Sequence, residues 1–206
     1  MADSEKRNQI LKAASHSFAL YGFSKTTMDD IGKLVGLNKA SLYYYYKNKE
    51  AIFCKIIERE CQGFISSLEK KINRLSQWDV KIQAYLLERQ QYLKETVNLH
   101  KLSVKTTEQL QFQPMFKTLA ANFEAQESEL IKNILDRAQA DDLIHPVDTQ
   151  KTAWIILSLA DSMKSRGMDM KNGYMISDQF NFKTIAEDTR FAVELILEGL
   201  KKRLTP

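Results

Sequence analysis

Glycine and proline are scarce in this chain, seven and three among 206 residues. With so few helix breakers, and with Leu, Lys, Glu, Gln and Ala abundant, the composition predicts an all-α fold. Cysteine is scarcer still. Cys54 and Cys61 are the only two, with neither a second pair nor a His at metal-ligand spacing, so they read as small buried hydrophobes in a reducing compartment, and no metal is expected. Long apolar runs are missing as well. The most apolar segment, Ala153 to Ala160, is far too short to cross a bilayer, and the opening MADSEKRNQI lacks the apolar stretch of a secretory signal. A cytoplasmic protein without a membrane partner is expected. Catalytic signatures are absent too: His16, His100 and His145 are scattered, no Ser or Cys sits in a nucleophile motif, and there is no Gly-rich phosphate loop. An enzyme, the first rival class, is therefore not expected, nor is a cofactor.

What is present is an ordinary globular composition, 44% hydrophobic and 27% charged, with its charge unevenly spread. From Ser24 to Lys55 six cations (Lys25, Lys33, Lys39, Lys47, Lys49, Lys55) face three anions (Asp29, Asp30, Glu50). That stretch carries a net +3 of the chain's +4, a modest electrostatic pointer to nucleic acid.

Helical periodicity begins at about Ser4 and runs to Tyr21, with Ile10, Ala14, Phe18 and Tyr21 on one side. Gly22 ends it. Thr27 and Asp30 have the spacing of a capping box that opens a second helix, which carries Ile31, Leu34 and Val35 inward and stops at Gly36, where a left-handed residue makes a sharp turn. Asn38 caps a very short third helix, Lys39 to Tyr45, and Asn48 caps a fourth that continues to about Asn73. Two short helices about a tight glycine turn are the helix-turn-helix plan. Further amphipathic helices are expected near Trp78 to Val97, Leu99 to Gln109, Pro114 to Ala140, Asp148 to Gly167 and Phe182 to Leu204.

On a helical wheel of the third helix, Leu42 and Tyr46 fall together as the inward face. The outward face centres on Tyr44, flanked by Ala40 and Ser41, with Tyr43 and Tyr45 at its edges and Lys39 at its start. Phenolic hydroxyls and an ammonium group donate to phosphate oxygens, and a small Ala lets a helix lie close to base edges.

The segment Thr26 to Phe53, TTMDDIGKLVGLNKASLYYYYKNKEAIF, resembles the signature of the TetR family of repressors. The family's pattern has a Thr opening helix two, a Gly turn, a Leu-Tyr pair in the recognition helix, then an aromatic residue and a Lys-Glu start to helix four. Here these are Thr27, Gly36, Leu42-Tyr43, Tyr46 and Lys49-Glu50. Gly32 departs from the family's usual Ala, at a cost of about 1 kcal/mol in helix propensity unless a close approach requires it. Ala40 and Tyr46 depart from the common residues at their positions as well. The resemblance implies a helix-turn-helix DNA-binding domain over residues 1–48 and a larger ligand-binding and dimerisation domain over residues 49–206. It also implies a double-stranded operator, with Thr27, Tyr43 and Lys49 on phosphates and Lys39, Ala40, Ser41 and Tyr44 facing the major groove. An adaptor that has lost DNA binding is the alternative; intact Thr27, Tyr43 and Lys49 oppose it.

By the same resemblance a small ligand lies among the middle helices of the C-terminal body and moves helix four. Tyr85, Arg89, Tyr92, Phe112, Met115, Phe116 and Trp154 are its candidate lining, an aromatic and Met set that suits a hydrophobic molecule. A homodimer is expected through the last two helices. In the final one Ile185, Ala192, Val193, Ile196, Leu200 and Leu204 form one stripe, and Phe191 and Leu195 lie outside it. In the preceding one Trp154, Ile155, Ile156, Leu157 and Leu159 leave hardly any wet face. So wide an apolar arc exceeds what a helix needs against its own core, which makes Trp154, Phe191 and Leu195 candidate interface residues.

Overall fold

A computed structural model describes residues 2–99, 114–167 and 182–202. Among them are eight helices: α1 (Ala2–Tyr21), α2 (Met28–Leu34), α3 (Lys39–Tyr45), α4 (Lys49–Ile72), α5 (Trp78–Leu99), α6 (Pro114–Ala140), α7 (Thr149–Gly167) and α8 (Phe182–Leu200). No strand occurs among the described residues, so the fold is all-α as the composition predicts. The helix expected over Leu99 to Gln109 falls, beyond its first residue, outside the described residues. So do Phe112 and Leu204.

The chain forms two compact units. The first comprises residues 2–63, 94–99 and 114–120. Its core is Ile10, Leu11, Ala14 and Phe18 of α1, Met28 and Ile31 of α2, Leu42 of α3, and Ile52, Phe53 and Ile56 of α4, all buried. Phe18, Phe23 and Phe53 meet with ring centroids 4.9 to 5.5 Å apart, and each fully buried side chain of this size stabilises by roughly 1.5 to 3 kcal/mol. Leu34 departs from its expected inward place and is 58% exposed. In a helix of seven residues the buried arc is set by Met28, Ile31, Gly32 and Val35, and at about 100° per residue Leu34 falls off its edge.

The second unit comprises residues 64–93, 121–167 and 182–202. Ile82, Tyr85 and Leu86 of α5, Ile131 and Leu135 of α6, Ala153 and Ile156 of α7, and Val193 and Leu197 of α8 form its core, joined by Leu68 and Ile72 of α4. Helix α8 ends at Leu200, short of the expected Leu204, because the chain then pairs with the loop before α7. The His145 N–H donates to the Leu200 carbonyl at 2.9 Å and the Lys202 N–H to the Leu143 carbonyl at 3.1 Å. Lys201, anchored there, reaches Asp79 at 2.7 Å and Glu198 at 2.5 Å. Among the described residues no helix is long and apolar enough to cross a membrane.

Candidate nucleic-acid interface

The helix-turn-helix is built from local hydrogen bonds. The Thr27 hydroxyl accepts from the Asp30 N–H at 3.2 Å, and the Asp30 carboxylate accepts from the Thr27 N–H at 2.9 Å, which is the capping box anticipated at the start of α2. The Thr27 hydroxyl also donates to that carboxylate at 2.6 Å. These bonds from Thr27 hold the Asp30 carboxyl below its ordinary value. Gly36 takes a φ of +66°, a left-handed conformation that a side chain would strain. Asn38 then accepts from the Ser41 N–H at 2.8 Å to start α3, and Asn48 accepts from the Ala51 N–H at 2.8 Å to start α4.

Gly32 is explained by its surroundings. A Cβ there would lie 2.9 Å from the Leu37 carbonyl oxygen, and the Leu37 N–H donates to the Gly32 carbonyl at 2.9 Å. The turn folds directly onto that glycine, so the close approach that would justify the departure from Ala is present.

Two cations of α1 brace the motif, and the sequence reading did not single them out. Lys6 Nζ donates to the Val35 carbonyl at 3.0 Å, satisfying the C-terminal end of α2. Arg7 Nη1 donates to the Tyr45 carbonyl at 2.8 Å, at the end of α3, and its guanidinium lies 5.5 Å from the ring centres of both Tyr45 and Tyr46. Their only trace in the sequence is a basic pair one turn before Ile10.

With these supports α3 turns Leu42 fully inward, leaves Tyr46 half-buried, and presents the opposite face to solvent. Tyr44 is 76% exposed and Tyr43 44%; Lys39 and Ala40 are exposed and Ser41 half-buried. The two outward hydroxyls and the Lys39 ammonium have no hydrogen-bond partner among the described residues. Lys49, expected on a phosphate, is differently occupied. Its ammonium donates to the carbonyls of Phe23 at 2.9 Å, Thr26 at 3.0 Å and Ser24 at 3.3 Å, and it sits 4.6 Å from the centre of the Phe23 ring. Thr27 likewise spends its hydroxyl proton on Asp30.

The pattern of the family described as bacterial regulatory proteins, tetR family, matches residues 10–56, the stretch that builds this motif. Residues 10–56 thus carry the TetR-family DNA-binding pattern. The chain is 44% identical over 62 residues to the biofilm operon icaADBC negative transcriptional regulator IcaR of Staphylococcus epidermidis, a match spanning 30% of this chain and 34% of that relative. It is 25% identical over 160 residues to the HTH-type transcriptional regulator YhgD of Bacillus subtilis, spanning 75% of this chain and 80% of the other. A crystal structure of a transcriptional regulator from Cytophaga hutchinsonii superposes with a TM-score of 0.77 at 25% identity, over 94% of this chain and 97% of that one. These relatives, and the superposed structure, are transcriptional regulators, and the chain spans about a third of the length of IcaR.

The candidate ligand residues are scattered. Tyr85 and Arg89 of α5 are buried in the second unit and belong to a polar network rather than an open wall. The Arg89 guanidinium meets Glu127 of α6 at 2.5 and 3.2 Å and Asp161 of α7 at 3.0 and 3.2 Å, and the Tyr85 hydroxyl donates to Glu127. Burial pulls the Arg89 pKa down, yet the Glu127 charge and hydrogen bonds, with those of Asp161, hold it above its ordinary value. Burial first, then the Glu127 charge, pushes the Tyr85 hydroxyl far up. Tyr92 stacks on Phe64 at 4.3 Å. Met115 and Phe116 belong to the first unit, where the Met115 carbonyl accepts from the Cys54 thiol at 3.7 Å and Phe116 packs 6.0 Å from Phe53.

Trp154 requires correction as a pocket residue, since it is 63% exposed: α7 is tethered through Ala153, Ile156 and Ala160, which turns Trp154 away. Two cavities of the second unit, about 220 and about 420 Å3, are lined by none of these candidates. The interface candidates do share a character. Trp154, Phe191 and Leu195, on the mutually packed α7 and α8, are all exposed, Phe191 by 65% and Leu195 by 61%, as is Ile155, which was not among them.

Proposed function

We propose that this chain is a homodimeric repressor of the TetR family in the cytoplasm, which binds a palindromic operator and is released from it by a small hydrophobic ligand. The carrying observation is the solvent-facing surface of α3, where Lys39, Ala40, Tyr43 and Tyr44 are exposed on a helix fixed by caps at both ends. Lys39, Ala40, Ser41 and Tyr44 face the major groove, and the Tyr43 hydroxyl holds a phosphate. Thr27 and Lys49, with their hydrogens committed inside the protein, keep the helices in register and reach a phosphate only by exchanging those bonds. Residues 1–48 read DNA; residues 49–206 dimerise and bind the ligand.

The exposed apolar side chains of α7 and α8 support the dimer. Two helices from each copy would bury them in a four-helix interface whose twofold axis matches a palindrome, with half-sites about 34 Å apart. A ligand releases such a dimer only if it binds the DNA-incompetent state more tightly.

The test is a gel shift on the DNA upstream of the protein's own coding sequence, followed by selection of binding sites from random DNA. Lys39→Ala is expected to change the preferred operator, and Tyr43→Phe to weaken all sequences alike. Unaltered affinity and preference in Lys39→Ala would remove α3 from the groove.

A further inference from the structure

The second unit carries a groove that the residues discussed so far leave unused. It lies between α5 and α8 and encloses about 420 Å3, within the roughly 300 to 1,000 Å3 of small-molecule sites. Leu86 and Leu87 of α5 and Ala186 and Val193 of α8 give it apolar walls, and Leu87 is 61% exposed, an arrangement that leaves apolar surface wet until something covers it.

Three observations say what covers it. The side chain of Thr189, which lines the groove, is 1% exposed and its hydroxyl has no hydrogen-bond partner; an unpaired buried hydroxyl is unfavourable and awaits a partner. At the rim, Arg190 is exposed and has no ion pair among the described residues, while Lys183 shares Glu187 at 3.9 Å. Two cations against one anion leave the rim net positive, with the planar guanidinium as the free group. Finally, at about 100° per residue, Ala186, Arg190 and Val193 lie nearly opposite Phe191 and Leu195 on α8, so the groove stays open when the other face is covered.

We propose that this groove binds an amphipathic carboxylic acid. Its apolar body lies between α5 and α8, its carboxylate pairs with Arg190, whose forked donors match the two oxygens, and the Thr189 hydroxyl supplies a further donor. The assignment names the ligand class of the release reading above and rests on that reading only for its coupling to DNA.

Calorimetric titration of the full chain without DNA tests the site. Decanoate is expected to bind saturably, one molecule per chain, and decyltrimethylammonium at least tenfold more weakly. Arg190→Gln is expected to weaken decanoate about tenfold and to leave decan-1-ol unchanged, and Ala186→Trp, which fills the groove, to abolish both. Three results overturn the site: no saturable binding of decanoate, hexanoate or 3-phenylpropanoate; the cation binding as well as the acid; or decanoate binding unaltered in both variants, which would put the acid elsewhere. A gel shift with decanoate present separates the two readings. Binding without operator release overturns the coupling and keeps the site; release by another ligand, with every acid ignored, keeps the coupling and overturns the site.

Discussion

Gly32 and Lys49 show how a single residue acquires its meaning from what lies against it. Alanine at Gly32 would gain about 1 kcal/mol of helix propensity, but its Cβ would press on the Leu37 carbonyl oxygen at 2.9 Å, a backbone atom that cannot swing aside. Overpacking of this kind costs roughly 1 to 3 kcal/mol. Gly32→Ala is therefore expected to lower the thermal midpoint of unfolding, and a raised midpoint would show that the turn yields. For Lys49, charge-assisted hydrogen bonds to carbonyls are worth about 1.5 to 3 kcal/mol each when buried, and less in this half-exposed place. Lys49→Ala is expected to destabilise the chain by about 2 kcal/mol while leaving the salt dependence of operator binding unchanged. Were the slope to flatten by about one unit, Lys49 would be a phosphate contact after all. The glycine's position was visible in the sequence, but its reason was not, because Leu37 reaches it only once the turn has closed.

At the scale of the element, α3 is far too short to persist alone, since isolated helices below about 12 residues are marginal in water. It stands because Asn38 opens it, Arg7 holds the carbonyl of its last residue, Tyr45, and Leu42 is buried. Its caps and inward residue were legible in the sequence as local spacing. The brace from Arg7 was not, because it spans 38 residues. Helices α7 and α8 carry the apolar excess that the wheels anticipated, and the packing sorts it. Val193 and Leu197 go inside, and Phe191 and Leu195 stay out. A glutamate placed among side chains that a partner must bury is strongly unfavourable. Leu195→Glu is thus expected to turn a dimer into a folded monomer in sedimentation at micromolar concentration, with unchanged helicity. A variant that still dimerises would place the interface elsewhere.

For the whole molecule, the polar cluster of α5, α6 and α7 decides how the second unit responds to mutation and pH. Glu127 is 1% exposed and depends on Arg89 for its counter-charge. Arg89→Met should therefore cost about 3 to 5 kcal/mol, and adding Glu127→Leu should restore much of it, because the penalty is the uncompensated buried charge. A double variant no more stable than the single one would contradict this. At high pH, Tyr85 keeps its proton in the fold well above the ordinary value of 10.0, and Lys201 is pushed up to about 12 by its hydrogen bond to Asp79. Folded values above the unfolded ones mean stabilisation that is whole below about pH 10 and is lost as pH rises beyond it, by up to about 1.4 kcal/mol per pH unit for the buried Tyr85 and by much less for Lys201, whose ammonium is screened by solvent. The carboxyls of Asp30 and Asp136, held low by hydrogen bonds from Thr27 and from Lys132 and Thr149 respectively, work the other way: their contribution is present above their ordinary value of 3.8 and fades as pH falls below it. Denaturant titrations from pH 3 to 11 are expected to show a plateau between these limits. Stability still rising above pH 10 would contradict the buried Tyr85 hydroxyl.

Most features governed by neighbours in the chain were legible before folding. The helical class, the caps at Thr27, Asn38 and Asn48, the turn at Gly36 and the outward face of α3 all follow from spacing within a turn or two. Which long side chains find partners across helices was set by packing. It tied the Lys49 ammonium to the carbonyls of Phe23, Ser24 and Thr26, drew Arg89 and Tyr85 into a buried network with Glu127 and Asp161, and turned Trp154 outward. It also left a groove between α5 and α8 whose two walls lie about a hundred residues apart in the chain. Periodicity tells how apolar each helix face is but not which face meets which, because the crossing of helices is set by how their side chains interlock and not by the order in which they occur.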